Sequence, residues 1–414
     1  MPAYYPQDTA LAICLMLLIV GPLLVWRSRY NVPSILKIGF SIVAFGIPII
    51  FVGSQYSSGR NAYNLFEEII FLGTIPYLLG IYIGYLATAG NKVAFLLALN
   101  LERKQKAAVK LALIAIVGMI FTYALMGFIP AFAADPRAAK FLRGAYQLSG
   151  GTNALYRLFT SMADIALPLV LALAIDKKSK FLYMSAFLLF SIFMLNMTRA
   201  PAGFPILLVI GILAARANLS RPYIVLMSFI YIFGSLLNFV LGYTDASDEN
   251  GALFKLIEAG APDVRDQVWF LSRYIQAHPP LTLGRTFVGG MIPGQNMWNP
   301  AVWSLTLGSS DVSVEALNSG GLRLSGPILA YIAFGLWSVP IIMLVSGVIT
   351  GYFLKITKMA AKYSSSIFGV TLALIFLVYV GGFFSRFYDL RYTDFISVLF
   401  VYGVIYRFKF FRFL

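Results

Sequence analysis

The chain is poor in the residues from which most soluble active sites are built. Its 414 residues include one cysteine, Cys14, and one histidine, His278. A single thiol leaves no intramolecular disulfide and no thiolate cluster for a metal, and Cys14 sits within an apolar run where a small core or lipid-facing role accounts for it. Charge is scarce too: 12% of residues are Asp, Glu, Lys or Arg, and 17 acids face 32 bases. A chain 59% hydrophobic with a mean hydropathy of +0.81 is not a soluble domain of this length. There is no soluble domain, linker, low-complexity tail or internal repeat.

What the chain does have is apolar runs that reach, or nearly reach, the roughly 20 residues needed to cross a hydrocarbon core of about 30 Å. They are Thr9 to Trp26, Ser34 to Gly53, Phe66 to Thr88, Val109 to Phe128, Leu155 to Ile175, Phe181 to Met197, Ala202 to Ala215, Pro222 to Gly242, Gly326 to Ile349, Ser366 to Phe384 and Asp394 to Tyr406. The pattern predicts an all-α polytopic transmembrane bundle of about eleven spans, with residues 1–414 forming one domain.

Lysine and arginine in the short connections set the orientation. Alternation of the spans puts every basic cluster on one side, the cytoplasmic one, which collects 19 basic residues (12 Lys, 7 Arg) against Glu102 and Asp176. The outer side holds 13 basic residues, 11 of them arginine, and 15 acids. The net charge of +15 is thus topology beside anionic lipid, and no nucleic-acid partner is implied. Met1 to Asp8 carry no basic residue ahead of the first apolar run, unlike a cleaved signal peptide, and are expected outside; the C-terminus is expected inside.

Two outer loops break the run of short connections, residues 129–154 and 243–325. Loops of that length in a compact chain are usually functional or disordered. The second, with Trp269, Phe270, Trp298, Trp303 and several Gly and Pro turns, is expected to fold over the outer mouth of the bundle. Within it, Val264 to Ala277 reads as a helix ended by His278-Pro279-Pro280. Val268, Leu271 and Ile275 form one face; Arg265, Trp269 and Arg273 recur every four residues on another. That second face serves either an anionic ligand or, as a solvated face with an aromatic anchor, the membrane interface.

The outer arginines are Arg60, Arg137, Arg143, Arg157, Arg199, Arg265, Arg273, Arg285, Arg323, Arg386 and Arg391. A guanidinium grips phosphate oxygens in a bidentate, fixed geometry, whereas lysine acts as a point charge. Their choice over lysine points to a pyrophosphate or similar anion at the membrane surface. Thr198-Arg199-Ala200-Pro201 reads as a helix start, with Thr198 as cap and the positive helix end facing the same place as Arg199. Arg386, Asp389, Arg391 and Asp394 lie near the outer interface, where ionisable groups are functional candidates. The structural alternative pairs Arg391 with Asp389 or Asp394, and Arg157 with Asp164 two turns deeper. Glu67 and Glu68 read as caps of the third span's positive end.

The stretch His278-Pro-Pro-Leu-Thr-Leu-Gly-Arg-Thr-Phe-Val-Gly-Gly-Met-Ile-Pro293, followed by Trp298-Asn-Pro300, Val312-Ser-Val-Glu315, Ser319-Gly-Gly321 and a span with Phe334-Gly335, resembles the large periplasmic loop of the Wzy-type O-antigen polymerases, which join lipid-linked oligosaccharide repeat units. Thr198-Arg199 resembles that family's Ser/Thr-Arg element. The resemblance covers the topology of the whole chain and specific residues over about 70 positions. It implies a GT-C-like glycosyltransferase of the bacterial inner membrane that needs no cofactor and no metal. Such an enzyme moves a glycan from undecaprenyl pyrophosphate onto a sugar hydroxyl of an incoming lipid-linked unit at the periplasmic face, and a chain-length-regulating co-polymerase is a partner the family uses. The related O-antigen ligases carry a histidine late in this loop, and Val312 to Pro327 contain none.

Glycan transfer needs a base for the acceptor hydroxyl and positive charge for the departing pyrophosphate. The expected leaving-group residues are Arg199, Arg265, Arg273, Arg285 and Arg323, with Trp269 beside them; the expected bases are Glu315 and Asp266, then His278. His278 also fits a turn role, and Asp266 also fits one of orienting Arg265. Two other classes remain: a lipid-linked oligosaccharide flippase or transporter, disfavoured by the missing repeat and the long loop, and a non-enzymatic scaffold for envelope assembly, which would not need eleven outward arginines.

Overall fold

Backbone groups taken out of water find their partners within helices, and in a chain this apolar the result is helix after helix. The computed structural model describes residues 6–51, 60–88, 92–142, 144–240, 262–292, 294–307, 322 and 324–406. Among them there is helix and no strand. Six helices are long and apolar enough to cross a membrane. These are α2 (Val32–Phe51), α3 (Arg60–Ala87), α4 (Leu101–Met126), α5 (Gly150–Lys177), α11 (Ser338–Tyr363) and α12 (Ile367–Ser385). Five shorter apolar helices accompany them: α1 (Pro6–Val20), α6 (Lys180–Leu195), α7 (Arg199–Arg216), α8 (Ser220–Val240) and α13 (Tyr392–Tyr406). The amphipathic α9 (Pro262–Ala277) and the apolar α10 (Gly326–Phe334) complete the bundle.

The closest helix pair is α3 with α11. A methyl group at Gly80 would strike the Leu344 carbonyl, one at Gly84 the Val348 carbonyl, one at Gly347 the Tyr77 carbonyl and one at Gly351 the Ile81 carbonyl. Each is a backbone atom that no rotamer change can move. Small residues four apart let helix backbones meet, which substitutes for the hydrophobic drive that lipid does not supply. Residue numbers rise together along the contact, so the two helices are parallel.

Other contacts sort the residues into two ends. At one, Tyr63 donates to Asp8 at 2.7 Å, Tyr123 donates to Asn196 at 2.8 Å, and Ser346 donates to the Ser385 carbonyl at 2.7 Å. At the other, basic and acidic side chains tie the turns down. Asp176 accepts from the Ile367 and Phe368 amides at 3.1 and 2.8 Å, capping α12, and Arg216 donates to the Ser365 carbonyl at 2.7 Å. Lys104, 3% exposed, donates to the Leu96 and Leu97 carbonyls that end the short helix Lys92–Ala98. Lys358 donates to the Tyr85 hydroxyl at 2.5 Å. These lysines are structural.

Several expectations change in detail. The ninth apolar run, Gly326 to Ile349, is not one helix: the chain breaks at Gly335, whose φ of 83° and ψ of −176° lie outside any L-residue helix, and the long helix is α11 instead. Lys355, Lys358 and Lys362 are consequently helical. Glu67 and Glu68 stand two turns inside α3, which begins at Arg60, and do not cap it. Thr198 occupies the N-cap position of α7, but its hydroxyl donates backwards to the Phe193 carbonyl at 3.1 Å.

The glycine contact is directly testable. Gly84→Ala is expected to lower stability by about 1–3 kcal/mol, the usual cost of overpacking. Gly203→Ala on α7, where an added methyl meets nothing within 4 Å, is expected to cost nothing. Thermal unfolding of the full chain in detergent checks the pair, and equal melting temperatures would contradict the contact.

Candidate functional site

Of the polar residues singled out in the sequence, Arg265, Asp266 and Arg273 lie on α9, which packs toward the end of the bundle where α3 begins. There α9 lays its apolar face onto α3 and the Ile42–Gly46 turn of α2: Val264, Val268, Phe270 and Leu271 are fully buried and Tyr274 nearly so. Tyr274 packs against Trp303 and Tyr331, with ring centroids 6.3 and 5.6 Å away, and this burial pushes its phenol above the ordinary range. Gln267 accepts from the Ser325 amide at 3.3 Å, joining α9 to the start of α10. The expected helix is therefore present, with the expected buried face.

Its other face is exposed as expected. Arg265 and Arg273 point outward, and the Arg273 guanidinium lies over the Trp269 indole, 5.6 Å from the ring centre. Asp266 is half-buried. His278 is exposed and ends the helix in the left-handed region, φ 43°, with its amide donating to the Tyr274 carbonyl at 3.1 Å. That is the turn role weighed for it, though an exposed imidazole remains accessible there.

Arg285 lies on the next turn of chain. The Thr282 and Leu283 amides donate to the Ile332 and Ala333 carbonyls at 3.0 Å each, satisfying groups that the end of α10 leaves open. Arg285 then opens the short helix Arg285–Val288 and stacks over Trp298 at 5.0 Å. This segment pairs with the turn before α13: the Leu390 amide donates to the Phe287 carbonyl at 2.8 Å, and the Tyr392 amide to the Gly290 carbonyl at 3.0 Å. A methyl on Gly290 would press on the Leu390 carbonyl and the Arg391 side chain, so that position needs glycine.

The turn itself is an ion-pair cluster. Arg391 donates to both oxygens of Asp389, at 3.1 and 2.8 Å, and Arg386 lies 3.9 Å from Asp394. Arg391 is thus paired as the structural alternative proposed. Asp164 is not matched with Arg157: the Tyr379 hydroxyl donates to it at 2.6 Å, while Arg157 donates to Asn153 at 3.5 Å. Tyr388, buried under this turn, has its phenol pushed up by burial, partly offset by Ser346 and Arg386. Sequence reasoning missed Tyr379, whose partner is 215 positions away, and named Trp298 only as a loop aromatic, not as the ring under Arg285.

Of the other expected site residues, Arg199 opens α7, as the sequence predicts, with its side chain outside the described residues. Glu315 and Arg323 also lie outside them. Among the described residues no group of three or more His, Cys, Asp or Glu is placed to hold a metal ion. No family model, curated protein or solved structure matches the chain.

Chemically, the described part offers two guanidinium groups on indole rings and two held by carboxylates. Among the described residues neither Arg273 nor Arg285 forms an ion pair, so each can receive an oxyanion without first giving one up. The Arg391–Asp389 pair, with Arg391 half exposed, is expected to contribute no more than about 1 kcal/mol. A double-mutant cycle of Asp389→Asn and Arg391→Gln, read by thermal unfolding, measures it; a coupling of several kcal/mol would show a pair far better desolvated than the structure has it.

Proposed function

We propose that the chain is a glycosyltransferase that polymerises undecaprenyl-pyrophosphate-linked oligosaccharide repeat units at the outer face of a bacterial inner membrane, in the manner of the Wzy-type O-antigen polymerases. In this reading all eleven apolar helices span, the fold is GT-C-like, and the lysine-rich end faces the cytoplasm. The observation that carries it is the pair of exposed, indole-backed arginines, Arg273 on Trp269 and Arg285 on Trp298, on the polar segment between α8 and α10. Flat aromatic surface beside guanidinium suits a ligand that is part sugar and part diphosphate.

Arg273, Arg285, Arg265, Arg199 and Arg323 meet the charge that develops on the departing pyrophosphate, in a setting where oriented donors count for more than in water. The acceptor hydroxyl has to lose a proton, for which Glu315, Asp266 and His278 are the loop's own acid–base groups. A ligase of the same superfamily would use the same arginines with a different acceptor, and a flippase would need them only for binding.

A deletion strain separates the three. Single repeat units on the lipid core mark a polymerase, a core without any transferred glycan marks a ligase, and repeat units held at the cytoplasmic leaflet mark a flippase. In the polymerase case Arg273→Ala and Arg285→Ala are each expected to lower polymer at normal protein level by about 10-fold or more, since a charge-assisted contact is worth roughly 1.5–3 kcal/mol. Exposed Lys106→Ala at the opposite end is expected to change nothing. Polymer blots that show the arginine and lysine variants alike would remove the arginines from the chemistry.

A further inference from the structure

The loop's acid–base groups are a half-buried aspartate, an exposed histidine and a glutamate outside the described residues; the bundle itself holds a further carboxylate, Asp164, bonded by a tyrosine. Asp164 is the one position from Met162 to Val170 on α5 that is not buried. α5 packs against α4, α6, α7, α12 and α13, and the bond to Tyr379 sets Asp164 toward these neighbours rather than toward lipid. A carboxylate turned to hydrocarbon would be costly, which argues the same way. Asn153, Arg157, Thr160 and Ser161 are also partly exposed, at intervals of three and four residues. They form a polar track along one side of α5 from its outer end down to Asp164.

A neighbouring helix, α12, fixes the carboxylate. Tyr379 donates to Asp164 Oδ2 at 2.6 Å and is carried by a π turn, Phe376–Gly381, a local widening of the helix that recurs at functional sites. Asp394, in the first turn of α13, is within electrostatic reach of Asp164 and stands 3.9 Å from Arg386. Arg391 is held by Asp389. Among the described residues, then, every nearby guanidinium with a carboxylate partner has another one, and Asp164 is met by a phenol alone.

We propose that Asp164 is the base for the acceptor sugar, with Tyr379 as its positioning residue; this rests on the polymerase reading. The Asp164 carboxylate takes the proton of the acceptor hydroxyl as that oxygen bonds to the donor's anomeric carbon. The bond from that carbon to the pyrophosphate oxygen breaks, and its electron pair leaves on undecaprenyl pyrophosphate. The proton stays on Asp164 until solvent reached along the polar track removes it.

The test uses the full chain in lipid nanodiscs with repeat-unit lipid taken from a strain that cannot polymerise it, and undecaprenyl pyrophosphate as the binding probe. Asp164→Asn, which keeps an acceptor for Tyr379, is expected to lose about 100-fold or more in turnover. Its affinity for undecaprenyl pyrophosphate and its melting temperature should be unchanged. Asp164→Glu should recover part of the turnover, and Tyr379→Phe should lower it by less than Asp164→Asn does. Wild-type turnover in Asp164→Asn overturns the assignment and leaves the polymerase reading intact; so does a loss of turnover that follows a loss of fold or of probe binding. Wild-type protein that never joins repeat units overturns the polymerase reading itself. Asp164-dependent proton movement into sealed vesicles would overturn both in favour of a coupled transporter.

Discussion

Two parallel helices whose backbones touch hold the molecule together. Because Gly80, Gly84, Gly347 and Gly351 let α3 and α11 meet without side chains between them, the starts of both helices share one end of the bundle. The chain between must return to that end, which brings α9 over the start of α3, α10 against Gly73 in its middle, and the Arg285 turn against α10. The pairing of residues 287–290 with 390–392 then closes the same end against α13. Everything read as a site depends on this register.

Charge is distributed to match. At the lysine-rich end, Lys104, Lys358, Arg216 and Asp176 are spent on open carbonyls, a phenol and open amides, so these charged residues hold turns together. At the other end, two arginines are neutralised by aspartates, and two rest on indoles facing out. The first arrangement makes a scaffold; the second leaves positive charge available to an anion. The contrast separates Arg386 and Arg391 from Arg273 and Arg285, although all four look alike in the sequence.

Much of the fold was legible because hydropathy and helix periodicity are local signals. The α9 helix, its buried Val268 and Leu271 and its exposed Arg265 and Arg273 follow from spacing alone. The break at Gly335 was not legible, since an apolar run does not reveal that one glycine takes a left-handed turn between two helices. Thr198 was placed correctly as a cap position while its hydroxyl turned back to Phe193, a choice decided by the tight turn from α6. The Asp164–Tyr379 bond spans 215 positions and the glycine contact joins helices far apart in the chain, so no local pattern could announce either. Glu315 and Arg323, the expected base and one expected ligand of the pyrophosphate, fall outside the described residues.

The central claim is that the polar segment with Arg273 and Arg285 faces outward while the lysine-rich end faces inward. In a chain whose only thiol, Cys14, is replaced by serine, single cysteines at Gln276 and at Lys177, both exposed, report the two ends. A membrane-impermeant maleimide applied to spheroplasts is expected to label Gln276→Cys at once and Lys177→Cys only after the membrane is opened. Labelling of both from outside, or of Lys177→Cys alone, would contradict the account.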